Sequence, residues 1–513
     1  MNGAEALART LVAAEVEVCF ANPGTSEMHF VSALDRVAGL RCVLGLAETV
    51  VAGCADGYGR MAGKPAATLL HCGPGLANGL ANFHNARRAC TPIVSIVGDQ
   101  ATYHRPHDAP LTTDTEALAR SVSHWVRTSA TAADVAPDAA AAVQAALAPP
   151  GGIATLVLPA DCAWDEGAQP AAALAPPKPT AVAPETIRDI ARALRSGQPA
   201  MLLLSNHALS EAGLRAAQRV AHASGARLRT PTQVPRMARG RGRAPVDRIP
   251  YVVDAALKVL EGTKHLILAG AKPPVGFFAY PGKPSTLWPR ECTMHVLARV
   301  EQDVVAALDA LADELDAPRT VPIPEPDTAP EAQRGPFKPE AFGHTLAALL
   351  PEQAIVAEDA VTSGRALFPL TFGAAPHDWI QVTGGAIGHA FPAATGAAVA
   401  CPQRKVVCLQ ADGAGMYSLQ SLWTQARECL EVVNVVFANR RYAILQGELA
   451  AVGATPGPAS RELFDLARPE IRWTRLAEGM GVEAVRVETL EAFADVFRSA
   501  CARRGPFLIE FLI

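Results

Sequence analysis

Several chemistries are missing from this 513-residue chain. No C-x-x-C pair occurs among its 11 cysteines, an odd number scattered from Cys19 to Cys501. That spacing suits neither a zinc site nor a disulfide framework. Thiols within apolar runs, such as Cys19, Cys54 and Cys408, are expected to be buried and reduced, as in a cytoplasmic protein. No run of about 18 apolar residues is present, so no membrane-spanning helix is expected. The first segment carries Glu5, Arg9, Glu15 and Glu17 and lacks the basic start and apolar run of a secretory signal. No G-x-G-x-x-G loop follows a strand pattern, which removes the nicotinamide-binding dehydrogenases. Charge is sparse: 19% of residues are charged and the net charge is −4. Neither nucleic acid nor an anionic membrane is therefore expected as partner. The basic run 236–243, with Arg236, Arg239, Arg241 and Arg243, is expected to be a solvated loop.

What is present is the composition of a large globular protein. Half of the residues are hydrophobic, and a chain of this length divides into about three domains. Two proline-rich stretches mark the divisions. One is roughly 165–184, with Pro170, Pro176, Pro177, Pro179 and Pro184. The other is roughly 318–339, with Pro318, Pro322, Pro324, Pro326, Pro330, Pro336 and Pro339. Proline at that density excludes helix and central strand, so both are extended connectors between blocks 1–165, 185–317 and 340–513. Each block alternates short apolar runs with helical patterns. Strands are expected at 16–20, 67–70 and 93–97, at 201–204 and 265–268, and at 406–409 and 432–437, with helices at 47–61 and 419–427. The spacing predicts an α/β protein of three doubly wound parallel sheets, each covered by helices on both faces. Ligands in such folds lie beyond the carboxyl ends of the strands.

In the third block, strand 406–409 runs into a small-residue loop around Asp412, Gly413 and Ala414, with a helix expected from about Tyr417. Strand 432–437 ends at Ala438, Asn439, Arg440 and Arg441. Asp412 and Asn439 are 27 positions apart (439 − 412), each just past a strand end. One crossover helix between parallel strands brings both to the same sheet edge. That suits Mg²⁺, which takes about six oxygens and commonly combines one or two carboxylates with phosphate oxygens. Asp412 would supply charge, Asn439 an amide oxygen, and a backbone carbonyl near Arg441 a third oxygen. The glycine amides and the next helix N-terminus would face a diphosphate.

This arrangement resembles the fingerprint of the thiamine-diphosphate-dependent enzymes, Gly-Asp-Gly followed one crossover later by Asn. It departs at Ala411, where the family has the first glycine, and at Ala438, where many members have a second Asn. In the first block Glu48, Asp56, Gly57, Tyr58 and Arg60 match a second family segment. The resemblance implies that Glu48 bonds the aminopyrimidine ring of thiamine diphosphate. Chemically, a carboxyl there stabilises the imino form of the ring, which then removes the thiazolium proton. The stretch 383–394 matches the family's glycine-rich segment, with Gly385 beside the cofactor and Ile387 at the position of the apolar wedge that bends it.

The substrate side resembles benzoylformate decarboxylase. Thr25, after Asn22-Pro23-Gly24, stands where that family has a substrate-contacting serine. His71 falls at its active-site histidine, and Asn78 lies in the loop that follows. Asp359, Thr362, Ser363 and Tyr417 are further candidates near the diphosphate. Phe277 or Phe278 stands about where a second histidine is contributed by the middle block; phenylalanine cannot donate a proton but suits an apolar substrate wall. His29, His104 and His107 are alternative acids.

The resemblance implies a thiamine diphosphate- and Mg²⁺-dependent lyase or carboligase acting on a 2-oxo acid through an enamine–carbanion, with an aldehyde or ketone as possible acceptor. It also implies a homodimer or homotetramer with the cofactor between the first domain of one subunit and the third of another. An acetolactate synthase-type carboligase is the alternative. A protein that binds the cofactor for an assembly or regulatory role is the alternative of another class, which the intact Glu48 opposes.

Overall fold

The computed structural model describes residues 1–324 and 329–513; of the second proline-rich stretch, Pro326 therefore lies outside the described residues. Three sheets organise the chain. The first has six parallel strands in the spatial order Arg41–Leu44, Val18–Asn22, Ala66–Leu70, Ile93–Asp99, Ile153–Pro159 and Trp125–Thr128. The second is parallel, with Ala200–Leu204 and His265–Ala269 at its centre. The third centres on Ile355–Asp359, Val406–Ala411 and Val432–Ala438. Strands buried on both faces explain the unbroken apolar runs, as in Ile93–Asp99 and Val432–Ala438, where every residue is buried. Pro184 and Pro339 are each the first residue of a helix, where a missing N–H costs nothing. Among the described residues no helix is long and apolar enough to cross a membrane.

The strand order sets where ligands can reach. In the first sheet the connections run in opposite directions from the adjacent strands Val18–Asn22 and Ala66–Leu70. In the third they diverge between Ile355–Asp359 and Val406–Ala411. Such switch points open a crevice at the carboxyl ends. Thr25 and His71 follow the strands at the first, Asp359 and Asp412 those at the second.

The first and third sheets are joined by helices Glu48–Ala62 and Ala390–Ala400, which touch backbone to backbone. A Cβ on Gly57 would lie 2.0 Å from the Ala393 carbonyl oxygen, and one on Gly396 would lie 1.8 Å from that of Cys54. Only hydrogen side chains fit there. Beneath that contact sits a buried ionic knot. Asp56 accepts from Arg60 at 2.6 and 2.8 Å, from Thr91 at 2.5 Å and from His389 Nε2 at 2.8 Å, while Arg60 also donates to the Gln381 carbonyl at 2.5 Å. Burial alone would raise the Asp56 pKa; Arg60 and His389 outweigh it and hold it at about 2.

Only the end of the basic run is a solvated turn, with Arg241 exposed. Arg236–Arg239 is a strand that pairs antiparallel with His377–Gln381 and closes the edge of the third sheet. This segment of the middle block thus makes that sheet mixed. Arg239 is 1% exposed. Its guanidinium lies 3.6 Å from the Phe368 ring centroid and 4.4 Å from that of Phe372, and it donates to the Thr371 hydroxyl at 3.1 Å. Stacking on aromatic faces is what lets a guanidinium leave water.

Candidate functional site

At the edge of the third sheet, Ala411 pairs with Phe437, so the next residues of the two strands project together. Asp412 is 3% exposed. Its Oδ2 accepts from the Arg440 amide at 2.7 Å and its Oδ1 from the Gly413 amide at 2.8 Å. Asn439 Oδ1 accepts from the Arg441 amide at 3.0 Å. Asp412 and the Asn439–Arg441 turn are therefore hydrogen-bonded neighbours. Burial pushes the Asp412 carboxyl up to about 6 despite these bonds. A Cβ on Gly413 would lie 2.5 Å from the Tyr442 ring, so glycine is required there. The helix expected from about Tyr417 begins elsewhere. A four-residue turn, Asp412–Gly415, comes first, and the longer helix is Ser421–Arg427. Three glycines or alanines in that turn obscured the boundary. Ala414 is buried, whereas Tyr417 is 57% exposed beside Gly388.

Asp359 ends the neighbouring strand. Its Oδ2 accepts from the Gly388 amide at 2.7 Å and the His389 amide at 3.1 Å. Asn85, on helix Cys72–Ala89, grips the same loop from the other side, bonding the Gly384 amide at 3.1 Å and the Ala386 carbonyl at 2.8 Å. Ile387 sits half-buried between these two anchors. Gly385 has φ +77°, and a Cβ there would lie 2.7 Å from Phe277 Cζ. The Phe277 ring thus packs directly on the glycine-rich loop, edge-on to Phe278, and both rings are exposed. Thr362 and Ser363 lie in the turn after Asp359.

At the edge of the first sheet, Glu48 is the first residue of helix Glu48–Ala62 and half-buried. Asn78 donates to it at 3.1 Å. A Cβ on Gly75 would lie 3.0 Å from Glu48 Oε1, so that glycine leaves a cradle beside the carboxylate. Thr25, His71 and His104 line one cavity of about 380 Å³, together with Ser26, Cys72, Tyr103 and Trp164. Phe277 and Phe278 are not among its lining residues. His29 is exposed with its ring against Trp164, and His107 is exposed beside His104.

One side chain behind this cavity, in contact with His71, is scarcely marked by the sequence. Glu27 is 1% exposed. Its Oε2 accepts from the Gly24 amide at 2.7 Å and contacts His71 Nδ1 at 2.9 Å. A carboxylate on Nδ1 fixes the imidazole tautomer and ring orientation. The signal was thin, since Glu27 lies 44 positions from its partner and only its place two residues after Thr25 marks it.

Known proteins resemble this chain in sequence and in fold. Residues 1–118 match the thiamine pyrophosphate enzyme, N-terminal TPP binding domain, and residues 366–511 the C-terminal TPP binding domain. The chain is 51% identical to IlvX of Mycobacterium tuberculosis, provisionally named as an acetolactate synthase large subunit, over 100% of this chain and 99% of that one. It is 27% identical to benzoylformate decarboxylase of Pseudomonas aeruginosa, over 96% and 95%. In fold it resembles the thiamine diphosphate-dependent 4-hydroxybenzoylformate decarboxylase of Rhodococcus jostii RHA1, with TM-score 0.87, 24% identity and coverage of 99% and 98%. The chain belongs to the thiamine pyrophosphate enzymes, and it is a thiamine diphosphate-dependent enzyme of the decarboxylase and acetolactate synthase type.

Proposed function

We propose that this enzyme uses Mg²⁺ with thiamine diphosphate to decarboxylate a 2-oxo acid, to join the resulting acyl unit to an aldehyde or ketone, or both. The observation that carries the metal assignment is the pairing of Asp412 with the Asn439–Arg441 turn, through the 2.7 Å bond to the Arg440 amide. The donor set is all oxygen: the Asp412 carboxylate, the Asn439 amide and the Arg441 backbone carbonyl. That set fits a hard divalent cation which takes its remaining ligands from phosphate and water. Gly385, Gly413, Ala414 and Tyr417 would surround the diphosphate.

Bound there, the cofactor supplies the electron sink that makes loss of CO₂ from a 2-oxo acid possible. The chain supplies the rest. Glu48, held by Asn78, would bond and share a proton with the aminopyrimidine ring, and the glycine at position 75 leaves room beside the carboxylate. Ile387, fixed between the Asn85 and Asp359 anchors, would be the apolar wedge packed against the cofactor. Thr25 and His71 meet the substrate, and Glu27 orients His71. Phe277 and Phe278 form an apolar wall against the glycine-rich loop for a bulky substrate side chain. The Glu48 side of the first domain and the Asp412 side of the third come together between two subunits, in a homodimer or homotetramer.

Incubation with thiamine diphosphate, Mg²⁺ and a panel of 2-oxo acids, with and without aldehyde, tests this reading. CO₂ with free aldehyde assigns a decarboxylase, and CO₂ with hydroxyketone a carboligase. Removal of divalent ions should abolish turnover and Mg²⁺ restore it. Cofactor binding with no CO₂ from any acid would overturn the proposal in favour of an assembly role.

A further inference from the structure

Around His71 three different metal-binding groups converge. Among the described residues, Glu27, His71 and Cys72 are the one set of three or more His, Cys, Asp and Glu whose ligand atoms all lie within 4.8 Å of one another. His71 Nδ1 is 2.9 and 3.3 Å from the two Glu27 oxygens and 3.8 Å from Cys72 Sγ. A tetrahedral zinc ion, from its usual bond lengths, holds nitrogen and oxygen ligands about 3.4 Å apart and nitrogen and sulfur about 3.6 Å apart. Both separations from His71 Nδ1 stand within about half an ångström of that geometry, and the Glu27 and Cys72 ligand atoms lie within 4.8 Å of each other. Ser26 Oγ lies among them, 3.2 Å from both Nδ1 and Sγ. An ion at the centre of the cluster would require the Ser26 hydroxyl to rotate away.

The backbone is committed to this arrangement. Cys72 has φ +53°, in the left-handed region that a non-glycine residue seldom occupies. It starts helix Cys72–Ala89 and is 1% exposed, while Glu27 is equally enclosed. Both are held before any ion arrives, so little ordering opposes binding. The remaining side faces the cavity lined by Thr25, Tyr103 and His104, which leaves an open fourth position.

We propose that Glu27, His71 and Cys72 form a zinc-binding site that switches the enzyme off. Resting on the assignment of this cavity to substrate, the ion takes His71 Nδ1 and fills the space a 2-oxo acid needs. The thiol proton leaves to solvent as the Cys72 sulfur joins the metal. Thiolate with imidazole selects zinc-like ions over Mg²⁺, whereas the all-oxygen set at Asp412 selects the reverse. One chain thus keeps an activating and an inhibiting cation apart by donor chemistry.

Cobalt(II) is the probe, because a thiolate ligand gives it a near-ultraviolet charge-transfer band that oxygen ligands do not. Full-length enzyme titrated with Co²⁺ in the presence of excess Mg²⁺ should bind one ion per chain with that band, and Zn²⁺ should displace it. Cys72→Ser should abolish the band, and Glu27→Gln should weaken Co²⁺ binding at least about 10-fold. Cys42→Ser, at the cysteine pair facing across strands Val18–Asn22 and Arg41–Leu44, should retain the band. Circular dichroism confirms folding, and Glu27→Gln decides if Cys72→Ser does not fold. Zn²⁺ should inhibit turnover of the parent and lose that effect in Cys72→Ser. Absence of the band in the parent, or its persistence in Cys72→Ser, overturns the site. The spectra need no 2-oxo acid, so they stand whether or not the substrate panel succeeds.

Discussion

Glu48 combines a strict chemical demand with a permissive structural one. It is half-buried, makes one side-chain bond to Asn78 at 3.1 Å, and begins its helix rather than filling a core. Glutamine has the same shape and still accepts from Asn78, but it cannot share a proton with a ring nitrogen. Glu48→Gln should therefore fold and bind thiamine diphosphate nearly as the parent does, while turnover falls by ~10²–10⁴, the scale for losing a positioned acid. Calorimetric binding beside steady-state rates separates the two effects; unchanged turnover would remove Glu48 from the mechanism. The helix start at Glu48 was legible because Asp56, Gly57, Tyr58 and Arg60 repeat a known segment. Glu27 and Asn85 were not, because each acts through a partner far along the chain, His71 and the loop at 384–386. Local charge misled at Arg239. Counting arginines predicts solvent, but the rings that receive it come from residues 368, 372 and 379.

Helices Glu48–Ala62 and Ala390–Ala400 join the first and third sheets, and the knot of Asp56, Arg60 and His389 locks their relative position. Removing one charge from a buried pair leaves the other uncompensated, which costs about 3–5 kcal/mol. Asp56→Asn should lower stability by about that much in guanidinium unfolding. Its pH dependence follows from the depressed carboxyl. The native value is about 2 against an ordinary 3.8, so the unfolded chain binds the extra proton between them. The contribution is whole above about pH 4 and fades as pH falls toward 2. The variant should lack that acid limb; an unchanged acid profile would show that the knot is not what holds the helices. Helix and strand positions were largely readable because apolar runs of five to seven residues between glycines and alanines match strands buried on both faces. Boundaries near Asp412 were not, since small residues suit turn and helix alike. Nor was the pairing of Arg236–Arg239 with His377–Gln381, which depends on residues 138 positions apart (377 − 239).

Both proposed halves of the cofactor site leave large apolar side chains uncovered in the single chain. Leu46, two residues before Glu48, is 43% exposed; Met416 and Tyr417, just after Asp412, are 40% and 57% exposed. A second copy that covers both would join Glu48 of one chain to Asp412 of its partner, and two-fold symmetry would then build two such sites per pair. This arrangement makes an unusual demand on damaged chains. Glu48→Gln and Asp412→Asn should each be nearly inactive alone. Dissociated, mixed in equal amounts and reassociated, about half of the pairs become mixed, and each mixed pair holds one site with both lesions and one with neither. Activity should recover to about a quarter of the parent's. If each chain instead completed its own site, every site in every pair would carry a lesion and mixing would restore nothing. The recovered fraction, with the oligomeric state followed by sedimentation, therefore reads directly whether the acid and the metal ligand serve one cofactor from two chains.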